Sequence, residues 1–535
     1  MIQPMSKKYF LIKAAVLIFL LLTILCFIPS VDAQNTASEN FRFLEQDITQ
    51  IQEGYKNGSF TIKELVSAYL DRINQIDKNG PALNSIIQVN PDALQIAEAL
   101  DKEMSQGKIR GPLFGIPVLL KDNIDTHDKM ETTGGSKALK NSHPLKDSYV
   151  ARQLREAGAI IIGKANLSEW ANFRGQLSTS GWSGAGGQTK NPYVLNRNPC
   201  GSSSGSAVAV SANLTMLAIG TETDGSIVCP SQTNGIVGIK PTVGLVSRTG
   251  VIPISFTQDT PGPMGRTVRD AAICLGLLTG IDPADEKTLA SKGKFYRDYT
   301  QFLKVDGLKG KRIGLYKAPL GKNFKVDTLM VHAVEFLKSQ GAEVIDVNEL
   351  SSGKVDSCES VIMLYEYKDG LNKYFQSLGP DAPIKSIEEL IKFNQSDPIE
   401  LKYFNQQYVE QAQKKGDLTQ EGYLDALAKM MKGSREEGID KVMNEQKLDA
   451  IIAPTGSPAW ITDLINGDSF QIGTSSPAAQ AGYPSITVPM GFIDALPVGI
   501  SFFGRAWSEP LLLEIAYAYE QGTKHRKAPH FIISE

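Results

Sequence analysis

A chain of 535 residues, 42% hydrophobic and 21% charged, has ample apolar content for a large core. Its formal net charge of -3, with no long lysine or arginine run, leaves no electrostatic footprint for nucleic acid. The length admits roughly two to four average domains, or one large α/β domain with additions.

At the N-terminus Lys7, Lys8 and Lys13 precede an apolar run from Ala14 to Ile28, interrupted only by Thr23. Val31-Asp32-Ala33 then puts small residues where a signal peptidase cuts. This order predicts a cleavable signal peptide over residues 1–33, a mature domain over 34–535, and a secreted or extracytoplasmic protein. The alternative is an uncleaved membrane anchor, for which the run is short. After cleavage no stable membrane insertion is expected. Of the cysteines that remain, Cys200, Cys229, Cys274 and Cys358 have no spacing typical of a small disulfide scaffold. Buried free thiols are the expectation, with a Cys200–Cys229 bond as the alternative.

Past a polar stretch at Asn35–Asn40, Thr61-Ile62-Lys63-Glu64 has the form of a capping box. Ile62, Leu65, Val66, Tyr69, Ile73 and Ile76 follow at helical spacing. Asp92–Met104 predicts a second amphipathic helix, and Gly115–Leu120 and Ala159–Gly163 read as buried strands. Arg312–Tyr316, Asp327–Gln340 and Glu343–Val347 have the pattern of a βαβ unit. From 351 to 445 the composition turns charged and helical, an elaboration expected near the mouth of the site. There Thr419 is a plausible N-cap for a helix carrying Tyr423, Leu424, Leu427 and Met431 on one face. Leu448–Ala453 and Ser485–Pro489 return to strand wording, and Pro510–Gln521 supplies a last helix. The returning strands argue for one integrated α/β domain.

Between Cys200 and Thr242 the chain reads CGSSSGSAVAVSANLTMLAIGTETDGSIVCPSQTNGIVGIKPT. Ser226 follows the apolar segment Met216–Ile219 and precedes residues able to start a helix. It would then sit at a strand-to-helix turn, where backbone N–H groups are free to face an anion. Gly225 lets them approach closely. Upstream, Lys121 closes the apolar run in GIPVLLKDNID, a setting that would depress its pKa if Asp122 and Asp125 point elsewhere. A competing pattern, Gly201-Ser202-Ser203-Ser204-Gly205, fits a nucleophile elbow with Ser203 attacking and His525 assisting, but the segment before it is loop by composition. A thiol nucleophile lacks a nearby histidine. With no HExxH motif or paired Cys/His spacing, neither metal nor cofactor is expected.

The joint order of Lys121, Ser202, Ser226 and the closing GIVGIKPT resembles the amidase signature hydrolases. The wording CGSSSGSAVAV and GTETDGSIVCP is similar to the peptide amidases of that family. The likeness runs from about Phe43 to His530 and takes in NLSEWANFRG at Asn166–Gly175 and AGYPSITVPMG at Ala481–Gly491. It implies one large mixed, mostly parallel twisted sheet covered by helices on both faces. It also implies that Ser226 is the nucleophile, Ser202 the bridging proton relay and Lys121 the general base. The backbone of Thr223, Asp224, Gly225 and Ser226 would form the oxyanion hole, and the bond Gly201–Ser202 would be cis. The implied reaction is hydrolysis of a carboxamide to acid and ammonia through an acyl-enzyme, without cofactor, most pointedly at the C-terminal amide of a peptide. The alternatives are a general aliphatic or aryl amidase, an exported non-catalytic peptide-binding homologue and an amidotransferase subunit. The partner implied is a small-molecule or peptide amide, and a monomer is expected. Asp224 departs from the more usual GTDxGGS wording. It would either repel a substrate carboxylate or cap the helix after Ser226.

Overall fold

The computed structural model describes residues 41–352 and 355–534, so the expected leader over 1–33 lies outside the described residues. The chain divides into a unit Met1–Leu44, whose described residues enter a turn, and a unit Glu45–Glu535, which holds every element below.

One 11-stranded mixed sheet organises this second unit. In chain order its strands are β1 (Ile86–Val89), β2 (Pro117–Lys121), β3 (Ile160–Ala165), β4 (Leu217–Glu222), β5 (Val237–Lys240) and β6 (Thr260–Gly265). They continue with β7 (Arg312–Tyr316), β8 (Glu343–Val347), β9 (Ala450–Pro454), β10 (Ser485–Ile493) and β11 (Leu496–Phe503). Across the sheet the order is β1-β3-β2-β4-β6-β5-β10-β11-β9-β7-β8. Parallel pairing joins β3 to β2 and β2 to β4 on one side, and β9 to β7 and β7 to β8 on the other. Helices intervene in sequence between each of those pairs, as parallel neighbours require. The centre, from β4 through β6, β5, β10 and β11 to β9, is antiparallel, and β1 adds an antiparallel edge. There β10 and β11 form a tight hairpin through Asp494 and Ala495, with Asp494 in the left-handed region.

Every residue of β2, β3, β4 and β9 is buried. Because successive strand side chains face opposite ways, both faces of these strands are covered. The helix Ile62–Arg72 opens with the expected capping box: Glu64 N–H donates to Thr61 Oγ1 and Thr61 N–H to Glu64 Oε2. Its buried Ile62 and Val66 join Ala93, Ala97 and Leu100 of the helix Ala93–Ser105 in one cluster with β2, β3 and β4. The helix Ser204–Ser211, built from Ser, Gly, Ala and Val, is buried throughout and belongs to the same cluster. Side chains this small let a helix lie close to the sheet behind the site.

The 351–445 segment contains helices Val355–Ser377, Ile387–Ser396, Gln407–Gln413 and Glu421–Ser434. Two local expectations fail there. Thr419 does not cap the last of these, because its hydroxyl donates to Asp417 Oδ1 and the helix starts at Glu421 without a side-chain cap. Leu424 is exposed, since the buried face runs instead through Tyr423, Ala426 and Met430. Among the described residues no helix is long and apolar enough to cross a membrane.

Candidate active site

Lys121 ends β2 with its side chain fully buried. Its Nζ lies 2.7 Å from Ser202 Oγ, 2.9 Å from Thr221 Oγ1 and 3.2 Å from the Thr221 carbonyl oxygen. An ammonium would donate all three bonds. A neutral amine, with two N–H groups and one lone pair, would donate to Thr221 and accept from the Ser202 hydroxyl. Burial pushes the Lys121 pKa down to about 7, against the charges of Asp259 and Glu222, which favour the ammonium. The two carboxylates adjacent in sequence do turn away. Asp122 Oδ2 accepts from the Thr133 N–H, and Asp125 Oδ1 accepts from Tyr374 Oη at 2.8 Å. Both are drawn electrostatically to the buried Lys164 rather than to Lys121.

Ser202 follows a cis Gly201–Ser202 bond and is 1% exposed. Ser226 lies on the turn between β4 and the helix Val228–Thr233, and its carbonyl accepts from the Ser203 N–H at 3.2 Å, which ties the two serine turns together. Gly225 holds φ +83°, a left-handed conformation costly for any residue with a Cβ. Among the described residues, the N–H groups of Thr223, Asp224, Gly225 and Ser226 donate to no protein acceptor. Asp259 anchors this turn: Oδ1 accepts from Thr223 Oγ1 at 2.6 Å, and Oδ2 accepts from the Ile254 and Ser255 N–H groups at 2.9 Å.

Three details decide between readings that the sequence left open. The helix after Ser226 is capped by Glu222, whose Oε2 accepts from Ile227 N–H at 2.7 Å and Val228 N–H at 3.0 Å. Asp224 therefore does not cap it; Asp224 Oδ2 accepts from Ser476 Oγ at 2.6 Å. Cys200 and Cys229 are not free thiols but a disulfide, with Cα atoms 6.0 Å apart across a separation of 29 residues. The pairing of the two serine turns brings them together, and Trp460 packs on the bond. Cys274 is a buried free thiol and Cys358 a half-buried one. Ser203, the elbow candidate, is fully buried, donates to the Thr221 carbonyl and accepts from the Thr221 N–H. Its hydroxyl is occupied by backbone and it does not line the cavity below.

A cavity of about 530 Å³ opens over these turns. Cys200–Ser202 and Thr223–Ser226 form its floor. One wall comes from Ser360, Met363 and Leu364 of the helix Val355–Ser377 with Tyr408 and Gln411, and another from Trp460, Asp468 and Phe470. Lys121 lies behind Ser202, outside the lining, so Ser202 is the link between the buried amine and the cavity. Among the described residues no group of three His, Cys, Asp or Glu side chains is placed to hold a metal ion.

The family model described as Amidase matches residues 64–513. The chain belongs to the amidase family. This amidase is 43% identical to a probable amidase of Arabidopsis thaliana, over 94% of each chain. It is 38% identical to a putative amidase of Schizosaccharomyces pombe, over 92% of this chain and 88% of the relative. Among solved structures it resembles native peptide amidase from Stenotrophomonas maltophilia, with a TM-score of 0.89 and 49% identity, covering 92% of this chain and 99% of that one.

Sequence reasoning missed several residues that shape the amidase site. Thr221 supplies two of the three contacts of Lys121, and Asp259 and Glu222 brace the turn from either side. Glu222 and Asp259 stand in GTETDGS and SFTQDTPGPM, segments of turn wording in which nothing marks either carboxylate as a brace. The far wall, Trp460 to Ser475, carried no signal at all, because it is a loop without periodicity.

Proposed function

We propose that this amidase is a serine hydrolase that removes the C-terminal amide of peptides, with Ser226 attacking, Ser202 relaying and Lys121 accepting the proton. The observation that carries it is the 2.7 Å contact of a buried Lys121, whose pKa burial pushes down to about 7, with a hydroxyl opening into the cavity of Ser226. Ser226 Oγ attacks the carboxamide carbon while its proton passes through Ser202 Oγ to Lys121 Nζ. Negative charge on the carbonyl oxygen is received by the unengaged N–H groups of Thr223, Asp224, Gly225 and Ser226. Lys121 returns the proton through Ser202 to the amide nitrogen, the C–N bond breaks and ammonia leaves. Water then attacks the acyl-Ser226 ester with Lys121 again as base, releasing the acid.

The likeness to a peptide amidase supports peptide amides over simple aliphatic or aryl amides, as does a cavity wider than the serine turns alone require. The test is ammonia release from an N-blocked dipeptide amide, with mass analysis of the products and a Ser226→Ala control. Ammonia from an intact dipeptide, lost in the control, supports the reading. Turnover restricted to simple amides would move the substrate to the general amidase class. Silence on every amide would favour a non-catalytic binding homologue. We also propose export: the leader at 1–33 and the Cys200–Cys229 disulfide both suit an oxidising compartment. A mature N-terminus at Gln34, read from protein recovered outside the cytoplasm, tests that step.

A further inference from the structure

The cavity runs from a dry floor to a wet rim. Ser202 and Ser226 are 1% and 7% exposed, whereas Phe470 and Leu177, which line the same cavity, are 50% and 56% exposed. Trp460, as buried as Ser226, packs on the Cys200–Cys229 disulfide and meets Phe470 edge-on with centroids 5.7 Å apart. The two rim residues belong to neighbouring loops. Gly467, at φ +80°, brings one loop so near the other that a Cβ there would stand 2.8 Å from the Leu177 carbonyl oxygen. Thr179 also donates to the Asp463 carbonyl. Phe470 is held in turn by Gly473, where a Cβ would meet its ring at 2.5 Å.

Among the described residues lining the cavity the formally charged side chains are Asp224 and Asp468, and none is Lys, Arg or His. The Asp468 carboxylate accepts from the Ser180 N–H and hydroxyl, Asn198 Nδ2 and Trp460 Nε1, with no cation on it.

We infer that Trp460, Phe470 and Leu177 form the subsite for the residue upstream of the amide-bearing one, and that it selects an apolar side chain there and rejects an acidic one. The inference rests on the peptide-amide reading. With the carboxamide carbon at Ser226, the leaving nitrogen needs little room, and the rest of the substrate must extend from the floor toward the rim. An apolar side chain arriving there covers the half-exposed faces of Phe470 and Leu177. An acidic one enters a wall that offers carboxylates and no cation.

The experiment compares N-acetyl dipeptide amides that share a C-terminal phenylalaninamide and differ upstream in Leu, Ser or Asp. The readout is the ratio of kcat/KM values within one enzyme, so a partial loss of folded protein cancels. For wild type, Leu should exceed Ser by about tenfold and Asp should be poorest. In Phe470→Ser, and separately in Leu177→Ser on the other loop, the Leu/Ser ratio should fall to within about threefold of unity. Ratios unchanged in both variants, or Asp turned over as well as Leu, overturn the inference while leaving a peptide amidase in place. If wild type hydrolyses benzamide but none of the peptide amides, the peptide reading fails and the inference falls with it.

Discussion

The helix Ser204–Ser211 behind Ser202 is buried at every position, whereas the loop across the cavity leaves Ile461, Ile465 and Phe470 exposed. The first region is held by close backbone approach: Ser203 bonds to the backbone of β4, and the Ser203 N–H reaches Ser226. The second is held by a few polar pins, chiefly Asp468 on Ser180, Asn198 and Trp460. A lowered lysine pKa demands the first construction, since any water admitted beside Lys121 would restore its ammonium. Contact with varied substrates tolerates the second. On the proposed mechanism and subsite, chemistry and selectivity therefore rest on parts of the molecule that can be altered separately.

The largest test of that separation is Ser226→Ala, expected to lower kcat for any amide by at least about 10⁴-fold. A loss confined to peptide amides would mean that Ser226 belongs with the rim rather than with the chemistry. Next in size is the Cys200→Ala/Cys229→Ala pair. By chain entropy a bond across 29 residues stabilises by about 3.6 kcal/mol. Urea unfolding should show a loss of that order, and reductant should lower the wild type toward the double variant without moving the variant further. Equal stability of the two proteins would show that the serine turns are held by packing alone.

Those tests fall on features that differ in how far the sequence revealed them. The dry setting of Lys121 was legible because an apolar run ends on it, and the cap at Thr61 because Glu64 stands three residues on. Both are local patterns. The disulfide joins residues 29 apart whose approach depends on two turns pairing, so the sequence offered it only as the alternative to free thiols. The helix cap was open for a similar reason: Glu222 and Asp224 are both near the helix start, and only the turn at Gly225 decides which one faces it. The rim was the least legible, being loop on both sides with its ordering carried by long-range bonds to Asp468.

Asp468→Asn probes that rim directly. The amide keeps one acceptor but exchanges the other for donors facing Ser180, so the loop should loosen without opening the floor. KM for peptide amides should rise about tenfold, with kcat within about twofold. A collapse of kcat would show that the two regions are coupled after all.

The smallest effect expected concerns the proton acceptor. The proposed mechanism needs Lys121 neutral, and with its pKa pushed down to about 7 the neutral fraction shrinks as the pH falls. The kcat/KM of wild type should therefore drop about tenfold per pH unit below that value and level off above it. Asp259 opposes the shift, because its negative charge favours the ammonium. Removing the charge in Asp259→Asn should move the acid limb to lower pH. The same change weakens the anchor on Thr223 and the Ile254 and Ser255 amides, which should lower the plateau. The two consequences are separable, since limb position reports the lysine and plateau height reports the turn. A limb that moves to higher pH would assign the titration to a group other than Lys121, and a limb that stays in place with a lowered plateau would leave Asp259 a purely geometric part in holding the turn.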